Sequence, residues 1–110
     1  MKDKSAHKIK KTIAIDEKSL NILKHWEKKL RESLKDDNAR LISSIFEKSL
    51  IYFYNTITER KEPNNDATVK RQTVYISKNS NSKYNELAFK YNYSLTELSN
   101  LIIRNSMLLY

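Results

Sequence analysis

A mainly helical fold carrying one two-stranded antiparallel ribbon is the architecture this sequence predicts, and three observations predict it. The 110 residues contain no Gly and a single Pro, which removes the usual turn residues of β-rich architectures and leaves helices the better fit. Two short segments, residues 12–16 and 71–77, alternate with period 2, and each is followed by two stretches in which apolar residues recur at helical spacing. A lone strand leaves its backbone groups unpaired, and neither half can bury its own apolar faces. Both problems are solved if the two strands pair antiparallel and the helices interlock beneath them.

The elements follow in order. In the first strand Ile13 and Ile15 lie on one side and Thr12 and Ala14 on the other, and Asp16 ends it as a helix N-cap. From Glu17 to about Lys35, the residues Leu20, Leu23, Trp26, Leu30 and Leu34 form one apolar face. Asp36, Asp37 and Asn38 break that pattern, and Asn38 can cap a second helix. Its core stripe is Ile42, Phe46, Ser49 or Leu50, Phe53 and Ile57, and the helix is expected to reach about Arg60. Glu62 to Asp66 holds the only Pro among turn formers and reads as a join. The second strand has Val74 and Ile76 on one face, Thr73 and Tyr75 on the other, and Ser77 as the next cap. A third helix shows Tyr84, Leu87, Ala88 and Tyr91 on one side, and Asn92 suits a left-handed C-terminal position where Gly is absent. Ser94-Leu95-Thr96-Glu97 is a capping box, and Leu98, Leu101, Ile102, Leu108 and Leu109 give the last helix its apolar face.

Composition narrows function. Without Gly there is no phosphate-cradling loop of the mononucleotide or dinucleotide type. Without Cys there is no disulfide scaffold, thiolate zinc site or cysteine nucleophile. A net charge of +8 points to a polyanionic partner, nucleic acid first. No run approaches the length of a spanning helix, so a cytoplasmic protein is expected. The first eleven residues hold Lys2, Lys4, Lys8, Lys10 and Lys11 against Asp3, which reads as a basic arm or a solubilising tail.

The two halves repeat one pattern: strand, cap, helix, break, cap, helix. Thr12, Ile13 and Ile15 match Thr73, Val74 and Ile76, while Ser43, Phe46 and Lys48 match Ser99, Ile102 and Arg104, with a shorter first helix or turn in the second copy. This arrangement resembles the ribbon-helix-helix family of DNA-binding proteins, the Arc, MetJ and CopG type, with both halves in one chain as a tandem pseudo-dimer. The resemblance implies two fused ribbon-helix-helix units in one domain, residues 10–59 and 70–110, preceded by an arm (1–9) and joined by a linker (60–69). It also implies a ribbon that enters the DNA major groove. Strand parity then puts Lys10, Thr12 and Ala14 outward in the first copy and Arg71, Thr73 and Tyr75 outward in the second, as base readers. Lys and Arg can donate to guanine, Thr can hydrogen-bond or touch a thymine methyl, and Ala14 can meet a methyl. The resemblance implies phosphate contacts at the start of each second helix, here Asn38, Ala39 and Arg40 and then Ser94, Leu95 and Thr96. Lys8 and Lys70 are further phosphate candidates. The usual Gly of those turns is missing, and Asp36 and Asp37 bring negative charge to the first of them.

Other features have plainer explanations. His7 and His25 have no third ligand in view, so neither metal nor cofactor is expected, and Trp26 reads as core. The run from Leu50 to Tyr54 is apolar all round and suits either intrachain packing or self-association on adjacent sites. Seven tyrosines lack an activating set, so no enzyme is expected. The expected partner is double-stranded DNA with an imperfect inverted repeat, bound by a transcriptional repressor or by a relaxosome accessory protein at a plasmid origin of transfer. The abundance of Lys, Asn, Ile and Tyr is compatible with an AT-rich bacterial, plasmid or phage source. A helical interaction module whose basic arm touches membranes or acidic partners is the competing class.

Overall fold

The alternating segments form the two strands of one antiparallel sheet in the computed structural model, which describes residues 8–34, 38–63 and 66–109. The strands are β1 (Ile9–Asp16) and β2 (Thr68–Ile76), both starting three residues earlier than their apolar alternation alone marks. Lys10 stands opposite Tyr75, Thr12 opposite Thr73 and Ala14 opposite Arg71, and the register shifts at a bulge between Ile15 and Asp16. Ile13, Ile15, Val74 and Ile76 are buried, which makes theirs the inner face.

The four helices are α1 (Glu17–Leu34), α2 (Asn38–Thr56), α3 (Lys78–Tyr91) and α4 (Leu95–Asn105), followed by a 3-10 turn over Ser106–Leu109; α1, α2 and α4 lie against that face, and α3 packs on α2 and α4. The expected stripes meet in one core. Leu23 and Trp26 come from α1, Ile42, Phe46, Leu50 and Phe53 from α2, Tyr84 and Leu87 from α3, and Leu98, Leu101 and Ile102 from α4, to which the unexpected Ile103 adds. Burying each such side chain is worth about 1.5–3 kcal/mol, and with no Cys in the chain no covalent cross-link adds to it.

The expectation of two fused ribbon-helix-helix units is overturned by this arrangement. What the described residues form is a single mostly helical fold of four helices and one two-stranded sheet, ending in an added 3-10 turn. Neither half is a unit, because each strand is fastened to a helix of the other half. The Tyr75 amide of β2 donates to Ser43 Oγ on α2 (2.9 Å), and the Ala14 carbonyl of β1 accepts from Asn100 Nδ2 on α4 (3.1 Å). The sheet exists only when residues from both ends of the chain come together.

Two helix ends also differ from expectation. α2 stops at Thr56 because the following segment is taken up by tertiary bonds. Arg60 Nε donates to the Tyr91 carbonyl (3.0 Å), its guanidinium lies 5.0 Å from the Tyr93 ring centre, and the Tyr93 hydroxyl bonds both the amide and the carbonyl of Lys61. α4 tightens into the 3-10 turn at Ser106, whose hydroxyl donates to the Ile103 carbonyl and accepts from Trp26 Nε1 (2.9 Å). That turn leaves Leu108 64% exposed, so it does not extend the core face.

Asn92 is left-handed, at φ 57° and ψ 48°, and its amide closes α3 onto the Ala88 and Phe89 carbonyls. Asn92→Ala is expected to lose about 1 kcal/mol, because Ala keeps the Cβ but lacks the short polar side chain that makes Asn tolerate this region, and Asn92→Gly, with no Cβ, to lose none of it. Urea denaturation midpoints of the two variants check this.

Candidate nucleic-acid interface

Alternation in the ribbon gives it an outer face made of Lys10, Thr12, Ala14, Arg71, Thr73 and Tyr75. Lys10, Thr12, Arg71 and Tyr75 are exposed, and Ala14 and Thr73 are half-buried. None of the six is acidic, and neither Lys10 nor Arg71 forms an ion pair among the described residues. The structure therefore brings all six of the predicted base readers onto one surface, with the two cations at opposite ends and the Thr12–Thr73 pair in the middle.

The strand ends are held firmly. Asn100 on α4 accepts from the Asp16 amide through Oδ1 (3.0 Å) while donating to the Ala14 carbonyl. Asp16 is buried and caps α1 by accepting from the Ser19 amide (2.8 Å), and its other oxygen accepts from the Arg104 guanidinium. Burial pushes the Asp16 carboxyl up, but the Ser19 and Arg104 bonds outweigh it and hold the group below its ordinary value. At the far end of β2, Glu47 of α2 accepts from the Ser77 amide (3.1 Å) and from the Ser80 hydroxyl (2.6 Å). Burial raises this carboxyl as well, and the Ser80 and Ser77 bonds, together with the charge of Lys8, bring it below its usual range.

Beside β1 lies a cleft of about 300 Å³ between Lys10, Thr12 and Ala14 on one side and Leu95, Thr96 and Ser99 on the other. It is floored by Tyr84, whose hydroxyl shares a hydrogen bond with Ser99 and reaches the Leu95 carbonyl (3.1 Å). Burial pushes the Tyr84 phenol above its ordinary value against the opposing Ser99 bond, so the group stays protonated at neutral pH. Lys11 lies over the Tyr84 ring at 5.7 Å and is half-buried. Strand parity alone did not mark Lys11 as part of this surface, because only the approach of α4 makes the cleft it lines.

The predicted phosphate contacts fare differently from one another. Ser94 is already occupied: its hydroxyl accepts from the Glu97 amide (3.0 Å) and its own amide donates to the Glu97 carboxylate (2.9 Å). The capping box leaves the Leu95 and Thr96 amides as the first two N–H groups of α4, at exposed residues on the cleft. Asn38, Ala39 and Arg40 form the first turn of α2, with side chains outside the described residues, as are Asp36, Asp37 and residues 1–7 of the arm. Lys70 is exposed opposite Ile15 near the bulge, and Lys8 is exposed where its charge acts on Glu47.

Among the described residues no group of three or more His, Cys, Asp or Glu side chains can hold a metal ion, and no helix is long and apolar enough to cross a membrane. Within the run from Leu50 to Tyr54, Leu50 and Phe53 are buried and Ile51 is 39% exposed, so the run splits between core and surface. No protein-family model, curated protein or solved structure matches the chain.

Proposed function

We propose that this protein binds double-stranded DNA sequence-specifically by laying the outer face of its ribbon in the major groove. The observation that carries the reading is that face itself: two cations, two threonines, an alanine and a tyrosine, with no acid among them, on a ribbon of only two strands. A two-stranded ribbon fits the width of the B-DNA major groove, and these side chains offer donors and methyl contacts to base edges. The net charge of +8, the exposed Lys70 near the start of β2 and the Leu95 and Thr96 amides support the flanking backbone contacts. The resemblance of the strand residues to those of ribbon-helix-helix proteins supports the same mode of reading and a role as a transcriptional regulator.

The test is selection of bound duplexes from a random or genomic pool, followed by a salt titration of the enriched site against a scrambled one. With about four phosphate contacts, affinity for both is expected to fall about 100-fold between about 50 and about 200 mM salt, while the enriched site keeps its advantage. Enrichment of no sequence, or equal competition by scrambled duplex, removes the reading. A selected site overlapping a promoter supports the regulator, and a site beside the nick of a transfer origin assigns the protein to plasmid transfer instead.

A further inference from the structure

The six outward residues do not make two equal halves. Because the strands run antiparallel, each end of the ribbon is built by a cross-strand pair, Arg71 with Ala14 at one end and Lys10 with Tyr75 at the other. The partners of such a pair sit about 4.5–5.5 Å apart at Cβ, so they act on the same or adjacent base pairs.

The chemistry of the two ends differs. Arg71 has a planar fork of donors that matches guanine O6 and N7 together. Its neighbour Ala14 presents only a methyl group, which leaves room beside the guanidinium and suits contact with a thymine methyl. This end is also the better positioned for β1, since Asn100 bonds the Ala14 carbonyl and the Asp16 amide at once. Lys10 is instead a point charge with rotatable donors, and the Tyr75 hydroxyl both donates and accepts. Neither group demands a single base pattern, and the Tyr75 ring, 40% exposed, fills the space that Ala14 leaves open at the other end.

Resting on the DNA-binding reading above, we propose that the Arg71–Ala14 end is the discriminating half of the interface, specifying a G·C pair next to a T·A pair, while the Lys10–Tyr75 end holds its half-site with little base preference. The full chain is titrated by fluorescence anisotropy against the selected duplex and against single exchanges in each half. One half is expected to contain a G·C pair whose exchange for A·T weakens binding about 5- to 150-fold, with no exchange in the other half exceeding about 3-fold. Replacing the adjacent thymine by uracil removes one methyl and is expected to cost about 4-fold in that half only. Arg71→Lys, at an exposed position, is expected to reduce the penalty at that G·C pair to under about 3-fold. Equal penalties in both halves, or an undiminished penalty in Arg71→Lys, overturn the proposal while leaving DNA binding intact. Failure of any sequence to be enriched overturns the DNA-binding reading itself. The uracil arm uses the unaltered protein, so it stands even if a variant folds poorly.

Discussion

Arg104→Ala is expected to destabilise the protein by about 3 kcal/mol or more, because it strands the Asp16 carboxylate in the interior. Asp16 has 2% side-chain exposure and Arg104 14%, and their ion pair ties the end of β1 to α4. Adding Asp16→Asn to Arg104→Ala removes the stranded charge, so the double variant is expected to be more stable than Arg104→Ala alone. Urea denaturation at neutral pH measures both. The same carboxylate sets a pH dependence. Its folded-state pKa lies below the unfolded value of 3.8, so the stability it contributes is present above that value and is lost as pH falls through the folded one. Glu47 acts in the same direction from 4.5. The urea midpoint is therefore expected to fall as pH drops below about 4.5, and Asp16→Asn to flatten the fall. A variant whose midpoint follows the same acid profile as the parent would show that Asp16 is not the group responsible.

The second large effect concerns binding. Lys10→Ala combined with Arg71→Ala is expected to weaken binding to a selected duplex by at least about 30-fold, since each cation contributes about 1–3 kcal/mol and the two stand at opposite ends of the ribbon. Both side chains are exposed and unpaired among the described residues, so thermal unfolding is expected to change little. Anisotropy titration of the double variant, with circular dichroism melting as the control for folding, separates lost contacts from lost structure. Binding within about 3-fold of the parent would sink the assignment of the ribbon face.

The candidate face was legible because period-2 alternation assigns faces without any tertiary information: Ile13, Ile15, Val74 and Ile76 point one way, so Lys10, Thr12, Ala14, Arg71, Thr73 and Tyr75 point the other. The caps were legible for a similar reason. Ser77, Asn92 and Ser94 each satisfy backbone groups within a few residues, and such local bonds leave a local signature. The clamps were not legible, because Asp16 lies 84 residues from Asn100 and 88 from Arg104, Trp26 lies 80 from Ser106, and nothing near any of them marks its partner.

By itself, then, the sequence determined the helical and extended segments, their buried faces and the residues left on the outer side of the ribbon, since hydrophobic periodicity and capping are properties of neighbouring residues. Only the tertiary structure decided that these segments form one interlocked fold and not two joined units, that α2 ends at Thr56, and that α4 turns aside at Ser106. The same distant contacts set α4 beside β1 and make the cleft that Lys11 and Tyr84 line. Those outcomes rest on burial and hydrogen bonds between distant residues, where the gain from one well-satisfied contact exceeds the small preference that carries a helix through one more turn.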